Sequence, residues 1–472
     1  MRVRNGAGLV LAWVAVGCGG LQEPPREVKA QACPPGVASR TRVVNPPGTQ
    51  PYTRLEGLTD AQGTLYFTVP WGGGTVLWRS NGTETGTVQV KVFPEGVFPD
   101  GAPAALGNTL FVPLYDRNTG MTQLWASDGT ASGTRFVKDF TPGFYGDSLR
   151  SMATLNGRLV FFHEALQGTE VWSSDGTSEG TVLVASFPDV LNLYYNSIFQ
   201  VGNALLFFRS QGGPTTLWRT DGTQAGTFSL KHLDAERVFI SQVSLAKDQG
   251  LFILDDGPNR EVWKTDGTAA GTLRLDTFGG YTSLRLLGRL GSKAYVASYS
   301  HLYSLSLSGG GRTLVTTLPV DNEDESPQVL RATISGEAIY FSVAITTLSS
   351  WPSDVRLWVT NGTAKGTREL RRLLPGTDMN ESPVFATGTG SVLFLKSNGT
   401  DNTSRPWFTQ GTAATTGQLA NVNVRMVDGL GPEPFVRAGN RVFFPATDDT
   451  GLEQLWSVPA TFTCPPGLTE PL

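Results

Sequence analysis

The stretch Leu124–Thr134, LWASDGTASGT, occurs many times along the chain. It returns as LWRSNGTETGT from Leu77, VWSSDGTSEGT from Val171, LWRTDGTQAGT from Leu217, VWKTDGTAAGT from Val262 and LWVTNGTAKGT from Leu357. A weaker copy, PWFTQGTAATTG, starts at Pro406, and a degenerate one, LYSLSLSGGGRT, starts at Leu302 with Tyr303 in the aromatic slot. Leu455-Trp456 is a last, partial copy without the glycine loop. Eight of the eleven Trp residues occupy this one slot, at intervals close to 47 residues, so the chain is an array rather than a string of unrelated domains. Asp or Asn followed by Gly is turn chemistry: the short side chain bonds its own backbone, and Gly accepts a positive φ.

Each unit has further structure around the Trp. Apolar runs such as Leu110-Phe111-Val112, Val160-Phe161-Phe162 and Val442-Phe443-Phe444 precede it, and tight-turn signals such as Gly107-Asn108, Asn156-Gly157 and Gly439-Asn440 precede those runs. Runs bounded by turn residues read as strands, and two-residue turns of this kind as hairpins. A strand such as Arg135 to Lys138 follows each glycine loop. Four short antiparallel strands per repeat of this length make a propeller blade. The predicted fold is therefore all-β, a β-propeller of eight or nine four-stranded blades. Two smaller β-domains or an open solenoid are the alternative. The motif resembles that of the bacterial ELWxxDGT repeat family, over nearly all of the chain after residue 37. That resemblance implies a secreted or surface protein and carries no catalytic signature.

The two ends complement each other. ASRTRVVNPPG from Ala38 mirrors ASGTRFVKDFTPG from Ala131, so the chain enters the array just after a missing glycine loop and leaves it at Leu455-Trp456. The ring is expected to close by pairing of the N- and C-terminal strands, which removes two raw sheet edges. Cys33 and Cys464 each begin a CPPG tetrapeptide at this seam, and a disulfide between them is expected.

The first 17 residues read as a signal peptide, with Arg2 and Arg4 before an apolar run from Ala7 to Val16 that is too short to span a bilayer. Ala15-Val16-Gly17-Cys18 resembles a bacterial lipobox, with Ala15 where Leu is usual. The resemblance implies a diacylated Cys18, a membrane anchor and, with Gly19 rather than Asp next, an outer-membrane lipoprotein. The expected organisation is signal peptide 1–17, lipidated Cys and tether 18–36, propeller 37–463 and tail 464–472. With 37 basic and 41 acidic residues the net charge is −4, and no basic face for nucleic acid is expected.

Chemistry is sparse. His163, His232 and His301 fit no metal or triad spacing, and no nucleophile elbow or phosphate loop occurs. The Asp-Gly-Thr loops supply one carboxylate each, too few for calcium. The acidic run Asp321 to Glu325 reads as a solvated loop. No cofactor and no metal are expected, and a monomer is. Four antiparallel strands put alternate loops at opposite ends. The glycine loops and Gly-Asn turns share one end, and loops of variable length and content share the other. Binding tends to reside in such loops. Trp71, Tyr145 and Trp351 are therefore the candidate ligand contacts. The functional expectation is a surface-anchored binding or scaffolding module for protein or glycan ligands. The alternative is a secreted hydrolase or lyase on the same scaffold.

Overall fold

The computed structural model describes residues 38–45, 53–141, 149–188, 198–209, 215–233, 239–246, 248–255, 258–280, 283–347, 354–373, 383–397, 404–424, 434–447 and 451–461. Cys18, Cys33, Cys464, Tyr145 and Trp351 lie outside them, as do all of residues 1–37.

The described residues form nine antiparallel blades, each with strands a to d from the inside outward. Blade 1 runs Glu56–Ala61, Thr64–Trp71, Gly74–Ser80 and Val88–Val92. In blade 2, strand a is split into Val97–Pro99 and Ala104–Leu106, followed by Thr109–Asp116, Met121–Ser127 and Arg135–Phe140. Blade 3 is Leu149–Leu155, Arg158–Ala165, Gly168–Ser174 and Val182–Phe187. Blade 4 is Ile198–Val201, Ala204–Arg209, Thr216–Thr220 and Phe228–His232. Blade 5 is Phe239–Ala246, Gln249–Asp255, Asn259–Thr265 and Leu273–Gly279. Blade 6 is Leu284–Leu290, Lys293–Ser298, His301–Ser306 and Arg312–Thr317. Blade 7 is Ser326–Ser335, Ala338–Thr346, Asp354–Thr360 and Arg368–Arg372. Blade 8 is Val384–Ala386, Val392–Ser397, Ser404–Thr409 and Thr416–Gln418. Blade 9 takes Val436–Ala438, Arg441–Thr447 and Glu453–Pro459 from the C-terminus and Ser39–Arg42 from the N-terminus.

The Leu-Trp dipeptide explains how blades stack. Successive side chains on a strand face opposite ways. Trp78 therefore packs with Phe443 and Leu455 of blade 9, while Leu77 packs with Leu110 and Val112 of blade 2. Strand b is sandwiched on both faces and so is apolar along most of its length. Leu65, Phe67 and Val69 face blade 9, and Tyr66 faces blade 2. Among the described residues, nine such clusters fill nine gaps, one of them between blades 9 and 1. The ring is closed, and neither two domains nor an open solenoid describes it. Phe67 and Trp78 sit opposite each other on strands b and c with rings 6.1 Å apart, an arrangement repeated by Phe252–Trp263 and Phe341–Trp358.

The count settles at nine because the Tyr303 repeat, the least regular in sequence, folds as a complete blade. Its loop dispenses with Asp-Gly-Thr and turns on Gly309, Gly310 and Gly311, all with positive φ. The irregular blade is instead the second, where strand a breaks at Asp100. The Asp100 amide still donates to Pro113 O at 3.0 Å.

Closure is polar as well as apolar. Ser39 pairs with Ser457 and Arg40 with Trp456. Beside them the fully buried Asn45 donates to Glu453 O at 2.7 Å, and Gln454 donates to Asn45 O at 2.7 Å. Gln454 Oε1 accepts from the amides of Val44 and Asn45, at 2.9 and 3.2 Å.

Candidate ligand-binding face

The end carrying the c–d loops is built for uniformity. In blade 2 the Asp128 carboxylate accepts from Thr130 N at 2.9 Å and Thr130 Oγ1 at 2.7 Å, and Thr130 Oγ1 accepts from Gly133 N at 2.9 Å. Ser127 Oγ and Thr134 Oγ1, 2.7 Å apart, close the loop underneath. Asn81, Asp175, Asp221, Asp266 and Asn361 repeat the same bonds. Each carboxylate is thus consumed by its own turn. The hydrogen bonds from the following Thr, side chain and backbone, hold Asp128, Asp175 and Asp266 below the usual carboxylate range.

The opposite end carries the b–c and d–a loops, and there the blades differ. In blade 1 the b–c hairpin turns on Gly72 and Gly73, both with positive φ, so that Trp71 sits directly across from Gly74. A side chain at Gly74 would collide with the Pro94 carbonyl of the next loop. That loop is tied back by Gly96 N to Gly73 O at 2.9 Å, and Arg117 N of blade 2 reaches Gly96 O at 2.8 Å. Trp71 is therefore an indole, 50% exposed, on a hairpin fixed by its neighbours. Exposure also marks Leu166 at the b–c tip of blade 3 (58%) and Tyr299 at that of blade 6 (47%), which holds a φ of +49°. Trp71 is the contact the sequence predicts for this face, and Leu166 and Tyr299 join it there. Both sit in b–c hairpin turns, so the alternation of loops was signal enough to find them. Tyr145 and Trp351 fall outside the described residues, and only Trp71 of the three chosen contacts is placed.

The acidic run Asp321 to Glu325 is solvated as expected, with Asp321, Asn322, Glu323 and Asp324 exposed, and it is tied down at two points. Asp321 is paired with the buried Arg356 guanidinium at 2.6 Å, which also contacts Asp354 at 2.9 Å. Glu325 accepts from the Asp321 amide at 2.9 Å and from Asn322 Nδ2 at 3.2 Å. Burial pushes the nearby Glu369 carboxyl above its ordinary range, with Arg356 opposing. His163 is buried too, with Nδ1 2.9 Å from Glu170 and Nε2 2.9 Å from Thr141 O. Glu170 also accepts from Trp172 Nε1 at 2.8 Å, so this histidine belongs to the mounting of a blade Trp.

Solved structures with a similar arrangement include prolyl oligopeptidase B from Galerina marginata (12% identity, TM-score 0.44, 86% of this chain and 54% of that one). The β-propeller domain of the Trilobed protease from Pyrococcus furiosus is another (11%, 0.39, 78% and 98%). A third is oligogalacturonate lyase from Vibrio parahaemolyticus (13%, 0.40, 67% and 89%). The chain spans little more than half the length of a prolyl endopeptidase, a puromycin hydrolase and prolyl oligopeptidase B that it matches. No family model matches it, and no curated relative does. Likenesses at this level say nothing about activity; the nine-bladed ring rests on the strand pairing above.

Proposed function

We propose that the protein is a binding module displayed on the cell envelope, with the variable-loop face presented to a protein or glycan ligand. Trp71 carries the reading. A half-exposed indole on a rigid hairpin offers a large flat apolar surface at little cost in conformational entropy, the property that makes aromatic residues effective ligand contacts. Its neighbours are fixed by backbone hydrogen bonds, so the site is pre-organised rather than induced. The anchor in this reading is acylated Cys18, with residues 19–36 as the tether to the outer membrane and a Cys33–Cys464 bridge holding the seam.

The test uses the full-length protein in detergent, as wild type and Trp71→Ala, probed with a saccharide array and with envelope extracts. Ligands retained by the wild type and lost by the variant support the face. Equal retention by both proteins sinks it. In parallel, Cys18→Ala should move the protein from the membrane to the soluble fraction.

A further inference from the structure

Arginines in this ring are generally given partners. Arg135 of blade 2 donates to Gly176 O of blade 3 at 2.8 Å, Arg219 of blade 4 to Gly267 O of blade 5 at 3.1 Å, and Arg368 of blade 7 to Gly411 O of blade 8 at 2.6 Å. Two arginines on the inner strands depart from this rule. Arg285 lies on strand a of blade 6, opposite Ala297, and is half-buried. Arg331 lies on strand a of blade 7, where the register slips between Val329 and Ala332, a bulge of the kind that re-aims side chains. Among the described residues neither guanidinium has a hydrogen-bond or carboxylate partner.

The two strands are packed neighbours, with Leu287 and Val329 in one apolar cluster. On the other side, Arg260 leaves the b–c loop of blade 5 and donates to Asp255 at 2.8 Å. Burial, and then the positive charges of Arg260 and Arg331, depress the basicity of Arg285. A half-buried cation facing two like charges is unfavourable as it stands. An anion reverses both terms, and the planar guanidinium fork matches a carboxylate, sulfate or phosphate in two parallel bonds.

We propose that Arg285 and Arg331, with Arg260 beside them, form an oxyanion site on the inner wall of the ring. It takes the carboxylate, sulfate or phosphate group of a ligand that enters from the variable-loop face. Arg260 and Arg285 are each the second residue of a strand that starts at that face, which sets the depth of the site. The site does not depend on Trp71 and would stand if that residue bound nothing.

The experiment is calorimetric titration of the full-length protein in detergent with sodium sulfate, sodium phosphate and a uronic-acid trisaccharide, at constant ionic strength set with potassium chloride. Wild type is compared with Arg285→Met, Arg331→Gln and the double variant. Saturable one-to-one binding of at least one probe is expected. Either single change should weaken it about tenfold or more, the loss of one charge-assisted bond, and the double change should abolish it. Preference for the inorganic ions or for the trisaccharide tells whether the group arrives free or on a saccharide. In buffer without oxyanions, Arg285→Met should melt no lower than wild type, since it removes a repelled charge. The bound probe should raise the melting temperature of the wild type and leave that of the double variant unchanged. Absence of saturable binding, or undiminished binding by the double variant, overturns the site. A lower melting temperature of Arg285→Met without oxyanions also counts against it, because that is the mark of a structural arginine.

Discussion

Thr41 donates its hydroxyl to the carbonyl of Leu455, 414 positions further along the chain, at 3.2 Å. The bond joins the first described strand to the last and so lies at the point where the array becomes a ring. Around it the apolar gap between blades 9 and 1 is filled like any other gap, by Trp78, Phe67, Phe443 and Leu455. What distinguishes this seam is the added buried polar clasp of Asn45, Glu453 and Gln454.

Gln454 is the member of that clasp whose loss leaves most behind. Replacing it with Leu strands the amides of Val44 and Asn45 and the carbonyl of Asn45, each without access to water. An unsatisfied buried polar group costs about 1–3 kcal/mol. Gln454→Leu should therefore lower unfolding stability by about 3 kcal/mol or more, read as a fall in the urea midpoint. Gln89→Leu, on the exposed outer strand of blade 1, should stay within about 0.5 kcal/mol.

Two glycines in blades 2 and 3 separate two reasons for the residue. Gly133 has an ordinary φ, but any Cβ there would collide with the Asp128 carboxylate. Gly157 has a φ of +75° and open space around it. Gly157→Ala should cost about 1 kcal/mol, the penalty for left-handed backbone. Gly133→Ala should cost more, because it dismantles the hydrogen bonds of the turn, with the difference visible in paired thermal melts.

Acid should act on the same turns. The folded-state carboxyls of Asp128, Asp175 and Asp266 sit below their unfolded values because Thr130, Thr177 and Thr268 donate to them. Their contribution is fully present above the unfolded pKa of about 3.9 and is lost as pH falls through the lower folded values. Asn occupies the same slot at positions 81 and 361 and accepts the same bonds. The triple change Asp128→Asn, Asp175→Asn, Asp266→Asn should leave stability at pH 7 nearly unchanged and flatten the decline below about pH 4. An unaltered acid limb in a pH series of melts would refute this.

Much of the ring was legible because its determinants are local and repeated. Leu-Trp alternation, a self-bonded loop and matched ends can be read without knowing which blades touch. Blade number was harder, because the Tyr303 loop reaches the same turn with three glycines instead of Asp-Gly-Thr. Arg285 and Arg331 were not legible at all. They lie one repeat apart with no shared motif, and only the packing of neighbouring inner strands makes them a pair. The acidic run at Asp321 is solvated as its composition indicates, but its ion pair was not legible, because Arg356 comes from a later strand of the same blade.

That pairing has a measurable asymmetry. Arg356 and Asp354 are both more than 90% buried, while the Asp321 side chain is 62% exposed. Breaking a buried pair from one side costs about 3–5 kcal/mol, whereas an exposed partner contributes about 0–1. Arg356→Met should therefore be strongly destabilising in chemical denaturation and Asp321→Ala nearly silent. Equal losses would mean that the loop, rather than the blade, depends on the network.

Trp71 and Trp358 make the final contrast, since they are the same residue put to opposite uses. Trp358 is 5% exposed and fills the gap between blades 6 and 7 with Phe341 and Leu302. Truncating it to Ala should cost about 3–5 kcal/mol through lost transfer energy and the cavity left behind. Trp71, 50% exposed, has little to lose on folding, and Trp71→Ala should remain within about 0.5 kcal/mol of wild type. A large apolar side chain kept at the surface, on a hairpin whose geometry requires three consecutive glycines, is poorly accounted for by stability. If Trp71→Ala melts several degrees lower than wild type, the indole is a packing residue after all and its role as a ligand contact loses its basis.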